Sequence, residues 1–239
     1  MTVKIDESRP LKKMFSVVPP RYDRLNRILT LGADEGWRRQ AVQQILKNKP
    51  ERFLDLCCGT GDLVLHVQKH APEYAALKAL DFSEPMLELA RKKAVEKEVE
   101  GVEFIYGDAA EMPFPDNYFD TIGITFAFRN LTFENPDRDR FLQEILRVLR
   151  PGGQFVIVET SQPANGLWRS LYHWYMRWIT APVGGWLSGQ KSAYRYLAYS
   201  AKHFFTPKQM KELLLQAGFS KVDSQPLMGG ISALTTAVK

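Results

Sequence analysis

Short apolar runs alternate with helically patterned stretches through the middle of the chain. Residues 52–58, "RFLDLCC", predict a strand that runs into a turn, "GTGD". Residues 62–70 suit a helix, and residues 75–81, "AALKALD", a second strand. The pattern over 83–98 predicts a helix with Ser83 as N-cap, Pro85 in the first turn, and Met86, Leu89, Ala90 and Ala94 on its buried face. Residues 102–108 and 119–127 read as the third and fourth strands. A helix over 136–150 places Phe141, Leu142, Ile145, Leu146 and Leu149 on one face and is stopped by Pro151-Gly152-Gly153. Residues 154–160 form a fifth strand. Strands and helices in alternation predict a parallel sheet covered on both faces.

The two ends of the pattern differ. Residues 206–219 predict a helix stopped at Gly218, followed by two strands, "KVDSQPL" and "SALTTAVK", split by Gly229-Gly230. That pair reads as an antiparallel hairpin at the sheet edge. Residues 1–50 precede the first strand and are helical in part, and residues 161–205 interrupt the alternation. The expected organisation is one α/β domain over 1–239, with an N-terminal arm (1–50), a core (51–160), an insert (161–205) and a closing helix and hairpin (206–239).

Composition is that of a globular chain, with 45% hydrophobic and 25% charged residues. The net charge of +5 matters less than its placement. Between Thr160 and Lys211 there is no Asp or Glu, while Arg169, Arg177, Lys191, Arg195, Lys202, Lys208 and Lys211 all fall there. The same segment contains "LWRSLYHWYMRWITAPVGGWL" (167–187), which holds Trp168, Trp174, Trp178 and Trp186, four of the chain's five tryptophans. Arg169, His173 and Arg177 rule it out as a membrane-spanning helix. The N-terminus lacks a signal-peptide core, so a cytoplasmic protein is expected. The only two cysteines, Cys57 and Cys58, are adjacent. They are expected to be reduced thiols, and no metal-ligand spacing occurs.

The chemistry concentrates at strand ends. Asp55 closes the first strand, and Gly59 and Gly61 make a tight turn that lets a ligand approach the backbone. The third glycine of a dinucleotide fingerprint is missing. An early carboxylate such as Asp55 suits a cationic or amino-bearing ligand better than a pyrophosphate. Asp81 closes the second strand, where an acid accepts bonds from ribose hydroxyls. Asp108 ends the third strand and can accept a bond from an exocyclic amine. Each Asp alone reads equally as a turn or capping residue. Three at successive strand ends beside a two-glycine turn point to a nucleoside-like ligand.

Asp55-x-x-x-Gly59-x-Gly61, Asp81 and Gly107-Asp108-Ala109 resemble the class I S-adenosylmethionine-dependent methyltransferases. The resemblance implies a seven-stranded sheet ending in an antiparallel hairpin, with S-adenosylmethionine as cofactor. A narrower likeness runs through "YDRLNRILTLGADEGWRR" (22–39), "LCCGTGD" (56–62), "GDAAEMPFPDNYFD" (107–120), "FAFRN" (126–130), "LRVLRPGG" (146–153), "ETSQP" (159–163) and "AYRYLAYS" (193–200). Together these are similar to the UbiE/MenG C-methyltransferases of quinone biosynthesis over roughly residues 12–235. The likeness implies that Thr60, Asp81, Asp108, Ala109 and Thr125 contact the cofactor, and that Tyr22, Arg129 and Asn130 line a quinol pocket. Departures are Cys57 and Cys58 in place of Ala or Gly, Ala127 in "FAFRN", Thr160 in place of Phe, and the absence of acids around "YRYL".

A ring carbon becomes nucleophilic when the neighbouring phenol loses its proton, so Arg129 suits a stabiliser of phenolate and, always charged, is a poor base. A water held by Arg129, Asn130 and Tyr22 is the expected proton acceptor. The structural alternative for Arg129 is an ion pair with Glu134 or Asp137. The insert is expected to cover a greasy substrate, with Trp168, Tyr172, Tyr175 and Leu171 in its core. Its basic and aromatic rim suits peripheral contact with an anionic membrane face. Pro182 and Gly184-Gly185 mark a hinge or a turn between helices. The expected substrate is a polyprenyl quinol, demethylmenaquinol before a benzoquinol. The alternatives are another hydrophobic aromatic, a nucleic-acid-binding protein, and a membrane scaffold without catalysis. A homodimer is possible, and no nucleic-acid partner is expected, because "ITFAFRN" stands where a base-flipping motif would.

Overall fold

A computed structural model of the chain describes residues 22–47, 49–70 and 76–239. The sheet has seven strands: β1 (Arg52–Leu56), β2 (Ala76–Asp81), β3 (Val102–Tyr106), β4 (Phe119–Thr125), β5 (Leu149–Thr160), β6 (Lys221–Leu227) and β7 (Ser232–Val238). Their order is β3-β2-β1-β4-β5-β7-β6. β1 to β5 pair in parallel, and β7 runs antiparallel between β5 and β6. The expected class I methyltransferase sheet with its closing hairpin is therefore present. β6 is the edge strand, the place where Pro226 is tolerated, and a short 3-10 turn over Met228–Gly230 joins it to β7.

Two arm helices, α1 (Tyr22–Leu29) and α2 (Ala33–Leu46), precede the sheet. α3 (Asp62–His70) follows β1, α4 (Glu84–Glu96) follows β2, and α5 (Phe128–Thr132) and α6 (Arg138–Val148) both lie between β4 and β5. The insert contributes α7 (Gly166–Tyr175), a π turn (Met176–Thr180), α8 (Ala181–Ser188) and α9 (Lys191–His203). α10 (Pro207–Ala217) begins with a complete capping box between Thr206 and Gln209 and ends at Gly218 in the left-handed region. Apolar side chains pack on both faces of the sheet. Leu54, Leu56, Ile122, Ile124, Phe128 and Phe155 belong to one cluster, and Phe53, Val64, Leu77, Val156 and Val158 to the other.

Several local expectations are corrected. Leu87, not Leu89, joins Met86, Ala90 and Ala94 on the buried face of α4. Ser83 stands at the N-cap without a side-chain capping bond, and its amide donates to Asp81 Oδ1 at 2.9 Å. α6 ends at Val148, so Leu149 and the Pro151-Gly152-Gly153 run lie within β5. There the register to β4 slips between Phe119 and Thr121, which lets the chain bulge without leaving the sheet. Gly184 and Gly185 are neither hinge nor turn. They lie inside α8, where a Cβ on Gly184 would stand 2.2 Å from the Tyr194 ring. Glycine there lets α9 approach the α8 backbone, and the turn is made by Gly189 at φ +72°.

Candidate active site

At the C-terminal ends of β1 and β4 the chain leaves the sheet through strained turns. Cys57 and Gly59 have φ of +53° and +54°. A residue without a side chain suits the first of these, which accounts for the small residues expected there; Cys57 adopts it at a cost of about 1 kcal/mol. Phe126 leaves β4 at φ +59°, two residues before the end that the apolar run predicts. Gly59 has open space where a Cβ would stand, so a ligand can approach its backbone. Gly61 serves packing, since a Cβ there would press on Ala90 and the Phe104 ring at 3.1 and 3.2 Å.

A cavity of about 590 Å³ lies against these turns, lined by Cys57, Gly59, Thr60, Asp81, Asp108, Ala109 and Thr125, together with Leu80 and Met86. Of the residues expected at the cofactor, Asp55 and Gly61 are outside the lining. Asp55 is 1% exposed, and its Oδ2 accepts from Val64 N at 3.0 Å, so it caps the start of α3. Burial, with a smaller contribution from the Asp81 charge, pushes its pKa up to about 8. Asp55 thus stands behind the turn, bonded to the start of α3 and outside the cavity lining.

Asp81 is held differently. Its Oδ2 accepts from Gly59 N at 2.8 Å and its Oδ1 from Ser83 N at 2.9 Å. The Phe82 amide also bonds the carboxylate, and acceptor capacity remains for an incoming hydroxyl. Burial pushes its pKa up to about 6, against those amide bonds. Asp108 Oδ1 accepts from Ala110 N at 2.9 Å, which fixes the carboxylate two residues past β3. Thr60 lines the cavity, but its hydroxyl donates to Asp23 Oδ1 at 2.8 Å on α1. Lys93 Nζ, on α4, joins Thr60 Oγ1, Asp23 Oδ2 and Asp62 Oδ1 at 2.8, 2.7 and 2.7 Å. Burial works against ionisation of Asp62, but Arg38 and Lys93 outweigh it and hold its carboxyl below the usual range.

A second cavity, of about 430 Å³, shares Asn26, Phe126, Asn130 and Tyr196 with the first. It is mostly apolar, and its buried side includes Arg129, Glu159, Tyr172 and Met176. Arg129 is 4% exposed, and its Nη1 donates to Glu159 Oε1 at 3.3 Å and Thr160 Oγ1 at 2.9 Å. Its backbone N–H donates to Glu159 Oε2 at 3.0 Å. Its ion-pair partner is thus Glu159 at the end of β5, neither Glu134 nor Asp137. Thr160, the departure from Phe, supplies the guanidinium with a further acceptor. Asn130 stands at the boundary of the two cavities, its carbonyl accepting from Asn135 Nδ2 at 2.9 Å. Tyr22 opens α1, and its side chain lies outside the described residues.

The insert covers this second cavity. Tyr172 is buried as expected, Trp168 and Tyr175 are half-buried, and Leu171 is exposed, against expectation. Leu171 lies on the rim because the cavity opens there, with Leu31, Trp174 and Met228, all exposed and all lining it. Trp178 and Trp186 lie outside the lining, 60% and 77% exposed. No helix among the described residues is long and apolar enough to cross a membrane.

The first cavity suits S-adenosylmethionine. Its size falls in the range of cofactor sites, Gly59 admits a close approach, and Asp81 and Asp108 present acceptors at adjacent strand ends. The fold and this site define a class I S-adenosylmethionine-dependent methyltransferase. The Thermotoga maritima structure described as a S-adenosylmethionine-dependent methyltransferase, possible histamine N-methyltransferase, shares the fold at TM-score 0.64 and 20% identity, over 95% of this chain and 98% of that one. A methyltransferase structure from Aquifex aeolicus matches at TM-score 0.56 and 19% identity, over 82% and 88%. The chain belongs to the ubiE/COQ5 methyltransferase family, whose description matches residues 1–239. The demethylmenaquinone methyltransferase of Thermus thermophilus is 43% identical over 92% of this chain and 97% of its own length. The ubiquinone/menaquinone biosynthesis C-methyltransferase UbiE of Geotalea daltonii is 36% identical over 98% of both.

Proposed function

We propose that this enzyme C-methylates a polyprenyl quinol, with demethylmenaquinol as its principal substrate. One observation carries the reading. An apolar cavity large enough for a fused-ring quinol adjoins the cofactor cavity and holds a buried guanidinium, Arg129. The names of the relatives from Thermus thermophilus, Deinococcus radiodurans and Lactiplantibacillus plantarum support the naphthoquinol over the benzoquinol.

Bound S-adenosylmethionine supplies an activated methyl group. Gly59, Asp81, Asp108 and Ala109 hold it, with Asp81 accepting from the ribose hydroxyls and Asp108 from the adenine amine. Arg129 stabilises the phenolate that activates the neighbouring ring carbon. Glu159 and Thr160 fix the guanidinium so that it is aimed before the substrate arrives, which is worth more than a flexible cation. A water held by Arg129 and Asn130 accepts the phenol proton. The insert excludes bulk water from this charge. Its exposed Trp178 and Trp186, with Arg177 stacked on Trp178 at 5.3 Å, support peripheral contact with an anionic membrane surface.

The test is mass spectrometry of the purified protein with S-adenosylmethionine and chemically reduced demethylmenaquinone. The oxidised quinone and a benzoquinol precursor run in parallel. A ring-methylated product from the reduced naphthoquinol, and none from the oxidised form, supports both substrate and phenolate. Cofactor binding with no product from any of them leaves the methyltransferase and removes the quinol.

A further inference from the structure

We infer that the Tyr172 hydroxyl donates a hydrogen bond to a ring oxygen of the substrate, as a second oxygen-recognising group beside Arg129. The inference rests on the quinol reading and adds to it a residue that sequence reasoning assigned to the apolar core.

Tyr172 lies on α7 and is 5% exposed, and its ring lines the second cavity. Its hydroxyl is buried and has no hydrogen-bond partner among the described residues. A buried hydroxyl without a partner loses its water and gains nothing in return, whereas phenylalanine would fill the same space at no such cost. Neighbouring tyrosines show that the fold can supply partners where it needs them. Tyr175 donates to Leu29 O at 3.0 Å, and Tyr199 to Glu134 Oε1 at 3.1 Å. Tyr172 is the one of these three whose hydroxyl is left over, and it is the most deeply buried.

A second orphan donor lines the same cavity. Arg129 Nε is buried and likewise without a partner, although Nη1 is doubly engaged. Arg129, Glu159 and Tyr172 all line this cavity, polar groups in a mostly apolar wall. A 1,4-quinol carries two ring oxygens, and the cavity offers an idle cationic donor, Arg129 Nε, and an idle neutral one, the Tyr172 hydroxyl; Arg38 Nε and Thr180 Oγ1 in the same lining are unpartnered as well. The cationic donor suits the oxygen that becomes phenolate. The neutral one suits either that oxygen or its para partner. Burial raises the phenol well above its ordinary value, so Tyr172 keeps its proton and acts as a donor throughout, never as the base.

The experiment compares Tyr172→Phe with the wild type on reduced demethylmenaquinone, reading kcat/KM, its pH profile, cofactor affinity and Tm. The expected result is a 10- to 100-fold fall in kcat/KM and an acid limb displaced to higher pH, because the phenolate has lost a donor. Cofactor affinity stays within twofold, and Tm is unchanged or higher, because an unpaired hydroxyl has been removed. A kcat/KM within twofold of wild type overturns the inference. So does a fall in Tm that accompanies the fall in activity, which would make the hydroxyl structural. A wild type that binds cofactor but methylates no quinol overturns the quinol reading itself, and this inference with it.

Discussion

The ammonium of Lys93 stands 2.7 Å from the Asp23 carboxylate, so α4 grips α1 beside the cofactor cavity. The same nitrogen holds Asp62 and Thr60, which ties the arm, the glycine turn and the start of α3 to one point. Asp23 is partly exposed and its pair with Lys93 is screened, whereas Asp62 is better sheltered. Lys93→Met is expected to lower stability by about 1 kcal/mol. It should also weaken cofactor binding about 5- to 10-fold, since Thr60 loses its fixed position. Calorimetric titration checks the affinity, and faster limited proteolysis within 22–31 checks the loosening of the arm.

Asp81→Ala is expected to weaken S-adenosylmethionine about 100-fold, from two charge-assisted hydrogen bonds of about 1.5 kcal/mol each. The wild-type pH dependence has a definite sign. The folded pKa of Asp81, about 6, stands above the unfolded value of 3.8, so its contribution to stability is full below 3.8 and is lost as pH rises through 6. Cofactor affinity runs the other way, because hydroxyl donors need the carboxylate. Affinity should fall towards tenfold per unit as pH drops below about 6. An affinity flat between pH 5 and 7 would remove Asp81 from the ribose.

The buried Arg129–Glu159 pair separates stability from turnover. Arg129→Met strands Glu159, at 2% exposure, and should lower stability by about 3 kcal/mol. Adding Glu159→Gln should restore most of that loss. Neither variant should methylate, and both should bind cofactor. Thermal denaturation and a methyl-transfer assay at a temperature where both are folded decide the matter. Methylation by either variant would take the phenolate away from Arg129.

Trp178 and Trp186 are exposed and outside both cavities, so they test the membrane contact without touching the site. Replacing both with Ala should reduce co-sedimentation with anionic vesicles at least fivefold. Turnover of a short-chain quinol in detergent should stay within twofold of wild type. Unchanged vesicle binding would transfer the contact to another surface.

What the sequence disclosed follows the range of the interactions. The strands, the turn at Gly59 and the acids Asp81 and Asp108 are local features, each written in about ten consecutive residues, and they are legible. The Arg129–Glu159 pair joins residues 30 apart, one on α5 just past β4 and the other near the end of the neighbouring strand β5. Charge proximity along the chain favoured Glu134 and Asp137, and only the adjacency of β4 and β5 in the sheet would have pointed to Glu159. Lys93 gave no signal, because a lysine on an amphipathic helix reads as solvated. Gly184 misled because glycine pairs usually mark turns, whereas here the missing Cβ is filled by the Tyr194 ring. Leu171 departs from expectation for another reason: it was read as insert core with Tyr172, but only Tyr172 is buried, and Leu171 is exposed at the cavity mouth.

The rim at Leu31, Leu171, Trp174 and Met228 sets how much of a long lipid the enzyme must lift. Drawing a whole prenyl tail into water would cost about 0.8 kcal/mol per carbon, so several isoprenoid units would exceed any binding energy this cavity can return. On the proposed membrane contact, a side opening with an apolar lip would avoid that extraction: the ring would climb in while the remainder of the tail stayed dissolved in hydrocarbon. Catalysis would then read only the head and its first units, and homologues of different tail length are expected to turn over alike.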